Sequence, residues 1–123
     1  MTKPDTIIYF EDIPSITECA IRDLKRDFPK HRLISNSGTY KWENEVLKEV
    51  GGIERIAIIL TDGNLEQVHG SDIIERFRQL GYTGPAIYTG LSRLSEDNKQ
   101  LYIERAEKIG QGLIEVVKKH IQH

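Results

Sequence analysis

The sequence predicts an α/β protein built on a doubly wound, five-stranded parallel sheet, and three observations carry this reading. Residues 56–60 (IAIIL) form a run too short for a typical helix, rich in β-branched residues and apolar on both faces, as a central parallel strand requires. Short runs of this kind alternate along the chain with segments whose apolar residues recur at helical spacing. No low-complexity stretch or linker interrupts the alternation, and 123 residues are enough for one domain with its own core. One domain spanning 1–123 is therefore expected, with right-handed crossovers placing helices on both faces of the sheet.

The first strand is TIIYF at 6–10, which ends in acid at Glu11 and Asp12. Pro14 and Ser15 open a helix, and Ile16, Ala20, Ile21, Leu24 and Phe28 share its apolar face until Pro29 closes it. HRLIS at 31–35 is the second strand, followed by a loop at Asn36, Ser37 and Gly38. Trp42, Val46, Leu47 and Val50 are the core face of a second helix, which Gly51 and Gly52 terminate. The central strand follows and stops at Thr61, Asp62, Gly63 and Asn64. Ile73, Ile74, Phe77 and Leu80 predict a third helix over 71–80, capped by Gly81. AIYT at 86–89 is the fourth strand. The polar segment 91–100 supports at most a short helix, and 101–104 is expected to be the fifth strand. Leu113, Ile114, Val117 and Ile121 form the stripe of a closing helix, with Lys118, Lys119 and His120 at its negative end.

Charge and cysteine content exclude several classes. The 17 basic and 19 acidic residues give a net charge of -2 and are interspersed, so no nucleic-acid or membrane surface is predicted. Cys19 stands alone, which forbids an internal disulfide, and its place beside an apolar stripe reads as structural. With neither a signal-peptide pattern nor an apolar run of spanning length, a cytoplasmic protein or a cytoplasmic part of a larger one is expected. His120 and His123 share a helix face at metal-ligand spacing, but a frayed terminus accounts for them. Gly110-Gln111-Gly112 does not follow the first strand and is no dinucleotide fingerprint.

The chemistry gathers at the strand ends. In a sheet of order 2-1-3-4-5, strands one and three flank the switch point, so Glu11, Asp12 and Asp62 converge there. Three carboxylates repel one another unless a cation sits among them, and Mg²⁺ suits such oxygen ligands. Thr89 ends the fourth strand and Arg105 follows the fifth; a hydroxyl and a cation opposite the acids complete a pocket for a phosphoryl group. Taken alone, Asp62-Gly63 reads as a turn after a strand. The combined spacing argues for a site.

With these residues in place, the chain resembles the receiver domains of two-component response regulators, which have a flavodoxin-like fold. The resemblance rests on FEDIPSI at 10–16, LTDGNLEQVHG at 60–70, PAIYTG at 85–90, and YIERA with LIEVVKKHI at the end. It implies a phosphoacceptor at Asp62, a Mg²⁺ site from Glu11, Asp12, Asp62 and the backbone carbonyl of Asn64, and a switch hydroxyl at Thr89 followed by a small residue, Gly90. It also implies a coupled aromatic at Tyr102. Phosphoryl acceptance from a histidine kinase or phosphotransfer protein would be relayed to a downstream protein, making the domain a self-modifying switch rather than a turnover enzyme.

Three departures from that pattern set further expectations. Arg105 aligns with the family's lysine and Ala106 with its cis-proline, while Lys108 has the wrong offset in this alignment. The stretch from Thr89 to Arg105 is short, so most of the fourth helix is expected to be missing. Glu66 replaces a proline after the phosphoacceptor, predicting a looser or differently shaped loop with an extra negative charge near the entrance. These departures motivate an alternative function, a protein-interaction module that keeps the fold without being phosphorylated. A flavodoxin-like cofactor enzyme is disfavoured, because Glu11-Asp12-Ile13-Pro14 offers a ligand phosphate repulsion rather than a cradle.

Overall fold

The computed structural model describes residues 3–121; His123 lies outside them. Five parallel strands, β1 (Thr6–Phe10), β2 (Arg32–Asn36), β3 (Ile56–Thr61), β4 (Ala86–Tyr88) and β5 (Glu104–Arg105), form one sheet in the order β2-β1-β3-β4-β5. The helices between and after them are α1 (Pro14–Asp27), α2 (Trp42–Val50), α3 (Gly70–Gln79), the single turn α4 (Glu96–Lys99) and α5 (Gly110–His120). Gly51 and Gly81, both at positive φ, follow α2 and α3 as the sequence predicts. Among the described residues, no helix is long and apolar enough to cross a membrane.

Strand alternation divides the core into two layers. Ile8 and Phe10 face Trp42, Val46, Ile73, Ile74 and Phe77 on the α2/α3 side. Ile7 and Tyr9 face Ala20, Leu24, Leu113, Ile114 and Val117 on the α1/α5 side. Trp42 is core, its ring 5.8 Å from Phe10 and 5.4 Å from Phe77. One irregularity matters for the site. Thr6 pairs with Ile56 but Ile7 with Ile58, so Ala57 is an extra residue in β3, and Phe10 then pairs with Thr61. Glu11 and Asp62 consequently leave neighbouring strands side by side.

The fifth strand differs from expectation. Leu101 and Tyr102 follow α4 and pack against the α2/α3 core, while β5 begins at Glu104. Their apolar character reflects that packing rather than a place in the ladder. The fourth helix is indeed short, four residues started by Ser95 Oγ accepting from the Asn98 N–H.

The loop after β3 is not loose. Glu66 N–H donates to Ser37 O at 3.1 Å and Gln67 N–H to Gly38 O at 3.0 Å. Ser37 Oγ donates to Glu66 Oε2 at 2.8 Å, which draws that charge toward the β2–α2 loop. A proline at 66 would lack the N–H that makes the first bond. Glu66→Pro is therefore expected to cost about 1–2 kcal/mol, measured as a lower urea midpoint with an unchanged slope.

Candidate functional site

The site is assembled by four strand ends. Asp62 N–H donates to Phe10 O at 3.1 Å and Thr89 N–H to Thr61 O at 3.0 Å, so backbone pairing extends one residue past β1, β3 and β4. Gly70, which opens α3, allows this helix to close on the end of β3. Any Cβ there would collide with the Asp62 carbonyl and come within 2.7 Å of Thr61 Oγ1.

Glu11, Asp12 and Asp62 converge as the sequence predicts, each offering an oxygen within 4.8 Å of the others. The Glu11 side chain is fully buried. Its Oε2 accepts the N–H groups of Asp12 and Ile13 at 3.0 and 3.2 Å, and its Oε1 accepts Lys108 Nζ at 2.7 Å. Asp62 Oδ1 accepts the Gly63 N–H at 2.7 Å, and Oδ2 accepts Lys108 Nζ at 2.8 Å. Burial works against the Lys108 charge, but the hydrogen bonds to Asp62 and Glu11 outweigh it and hold the ammonium above the ordinary lysine range. One cation thus bridges two of three carboxylates, leaving two formal negative charges uncompensated in the cluster. Hard oxygen donors with that residual charge fit a divalent cation such as Mg²⁺. Asp12, half-buried, accepts no hydrogen bond from a described residue, and Asn64 O is not used by the turn bonds Leu65 N to Val68 O and Gly70 N to Gly63 O. The Asn64 side chain is engaged elsewhere, with His69 Nδ1 at 3.1 Å.

Solved structures share this arrangement of elements. A response regulator receiver domain from Clostridium thermocellum matches with a TM-score of 0.74 at 18% identity, covering 95% of this chain and 94% of that one. The signal receiver domain of a DNA-binding response regulator from Colwellia psychrerythraea gives 0.72 at 16% identity, with 94% and 95% covered. The response regulator TrrA of Thermotoga maritima, solved in complex with Mg²⁺-BeF, gives 0.71 at 16% identity, with 95% and 99% covered. The chain has the receiver fold. At these identities the likeness is one of fold; no protein-family model matches the sequence, and no curated protein matches it.

Within this receiver fold, the cation beside Asp62 is Lys108 and not Arg105. Arg105 Nη2 donates to Gly90 O at 2.7 Å and Ser92 O at 3.4 Å, and its guanidinium lies 5.2 Å from the centre of the Tyr88 ring. The error has one source. Reading 101–104 as the fifth strand shifts the expected cation forward by the three residues that separate Arg105 from Lys108. Counting back from Gly110, which opens the closing helix, finds Lys108 instead.

The remaining predicted residues divide. Thr89 is buried beside the acids, and its Oγ1 makes no hydrogen bond by distance and angle among the described residues, although it lies close enough to the Tyr9 hydroxyl to favour the phenolate. Tyr102 packs on Tyr88, ring centres 5.3 Å apart, with its buried hydroxyl lacking a partner among the described residues.

Two further tyrosines border the site without any motif to announce them. Tyr9, fully buried, donates its hydroxyl to Lys108 O at 2.7 Å and so fixes the loop that carries the ammonium. Tyr88, 1% exposed, donates to Ser92 O at 2.9 Å. In sequence each reads only as an aromatic in a strand.

Proposed function

We propose that this chain is a Mg²⁺-dependent phosphoryl-accepting signalling receiver with Asp62 as the phosphoacceptor. The observation that carries the reading is the Lys108 ammonium, held between Glu11 and Asp62 at 2.7 and 2.8 Å at the carboxyl end of β1 and β3. An ionised carboxylate beside an ammonium at this place in the fold is suited to act as a nucleophile toward an electrophilic phosphorus, with the cation at hand for the incoming anionic oxygens. Asp62 would form the new P–O bond while the bond to a phosphohistidine nitrogen or an acyl phosphate oxygen breaks. Lys108 would then pair with the incoming anionic oxygens, and the Thr89 hydroxyl would donate to one of them. Glu11, Asp12, Asp62 and the Asn64 carbonyl would hold Mg²⁺, which when bound offsets charge on the transferring group.

The partners implied are a histidine kinase or phosphotransfer protein upstream and a protein downstream, in a cytoplasmic setting and without direct nucleic-acid or membrane contact. The interaction-module alternative rests on Arg105 at the lysine position, Ala106 at the cis-proline position and the short fourth helix, of which the first is the one that bears on phosphorylation chemistry. Lys108 beside Asp62 counters that support.

The test is incubation with Mg²⁺ and acetyl phosphate followed by intact mass measurement. The expected result is a gain of one phosphoryl group, abolished by EDTA and by Asp62→Asn. An unmodified mass with acetyl phosphate and with phosphorylated histidine donors would overturn the reading.

A further inference from the structure

The space over Gly90 joins two groups that the site chemistry has not yet connected. A Cβ on Gly90 would lie against the Tyr88 hydroxyl and 2.7 Å from Asp62 Oδ1. A Cβ on Gly63 would meet the same hydroxyl at 2.8 Å. The Tyr88 hydroxyl and Asp62 Oδ1 therefore both lie closer to this point than a carbon would tolerate, and glycines at 63 and 90 are what let the phenol stand this near the acceptor oxygen. Asp62 Oδ2 accepts from Lys108 and Oδ1 from the Gly63 N–H, and Oδ1 is the oxygen beside Gly90.

The phenol already has a use. Its single proton goes to Ser92 O, and Arg105, with its guanidinium 5.2 Å from the centre of the same ring, donates to Gly90 O and Ser92 O. Tyr88 and Arg105 together hold the 90–92 turn, whose Leu91 side chain is 85% exposed. A phenol is protonated at neutral pH, so the group near Asp62 is a neutral donor.

We propose that Tyr88 is a phosphoryl ligand, transferring its hydrogen bond from Ser92 O to an oxygen of a group bound at Asp62 Oδ1 and thereby releasing the 90–92 turn. This rests on the receiver reading above. A hydroxyl has one proton, and an anionic oxygen accepts it more strongly than a neutral carbonyl does. Gain of the new bond requires loss of the old one. Loading the site is in this way converted into a loosened loop with an exposed leucine, without any movement of Tyr102.

The experiment uses the whole chain with Mg²⁺ and beryllofluoride as the phosphoryl mimic, followed by NMR with ¹³Cζ-labelled tyrosine and ¹⁵N-labelled backbone. On loading, the Tyr88 Cζ resonance is expected to shift, and amide exchange of residues 91–93 to accelerate about tenfold. Tyr88→Phe is expected to bind beryllofluoride about fivefold more weakly, the factor for the roughly 1 kcal/mol by which a hydrogen bond to an anionic oxygen exceeds the neutral one given up. Its 91–93 amides should exchange quickly with or without the mimic, while Tyr102→Phe behaves as the parent. The Cζ shift is read in the unsubstituted protein and does not depend on a variant folding. If the parent binds beryllofluoride with Tyr88 Cζ unmoved, and Tyr88→Phe binds equally well, this inference fails and the receiver reading stands. If the parent binds no beryllofluoride in Mg²⁺, both fail.

Discussion

Lys108→Met is expected to destabilise the protein in EDTA by about 3 kcal/mol and to slow phosphoryl acceptance at least tenfold. Methionine keeps the length of the side chain and removes the charge. Glu11, with a fully buried side chain, and Asp62, 15% exposed, then lose the cation they share. Two uncompensated carboxylates with oxygens within 4.8 Å of each other are costly, because burial denies them the water that would otherwise screen them. Two comparisons identify this cause. Lys108→Met with Asp62→Asn should recover most of the lost stability, since one of the repelling charges is gone. Arg105→Met should cost less than about 1 kcal/mol and leave acetyl phosphate uptake within about twofold, since Arg105 binds two carbonyls of an exposed turn. Chemical denaturation at neutral pH and intact mass against time read both effects. Loss of phosphoryl uptake in Arg105→Met with uptake intact in Lys108→Met would return the phosphoryl cation to Arg105.

The contrast between these two residues marks where the sequence is legible and where it is not. Glu11, Asp12 and Asp62 are readable because each ends an apolar run, and a buried strand fixes its terminal residue to within a position. The sheet order places those ends together. Arg105 ends a two-residue edge strand and Lys108 follows it, and in so short a strand periodicity has almost nothing to act on. Leu101 and Tyr102 look more like a strand than Glu104 and Arg105 do, and packing on the α2/α3 core overrides that local appearance. The loop after β3 fails for another reason. Its order comes from Ser37, Gly38 and Tyr40 on a different loop, and no pattern within residues 63–69 encodes contacts made so far away in sequence. Tyr9 and Tyr88 were hidden because a strand tyrosine is ordinary; only the partners of their hydroxyls give them meaning.

Three buried tyrosines, Tyr9, Tyr82 and Tyr102, set a steep alkaline limit on the fold. Burial is the leading cause that raises Tyr9, Tyr82 and Tyr102 above the ordinary phenol value of 10.0, with nearby Glu11 and Asp62 adding to the effect at Tyr9. The unfolded chain releases these protons near pH 10 whereas the folded chain retains them, so above pH 10 the folded state binds more protons than the unfolded one. Stability therefore falls as pH rises. Each such tyrosine contributes a slope of about 1.4 kcal/mol per pH unit, and three acting together give about 4. The contribution is fully present below pH 10. A domain with the usual margin of about 5–15 kcal/mol cannot sustain that slope for many pH units. Absorbance at 295 nm should accordingly show these tyrosines ionising in the same cooperative step that abolishes the far-ultraviolet helix signal, with return to neutral pH reversing both. Tyr82→Phe isolates one contribution: it should lessen the slope of stability against pH by about a third, whatever it does to stability at neutral pH. Smooth ionisation of all the tyrosines near pH 10 with the fold intact would show that the burial around them does not resist the phenolate.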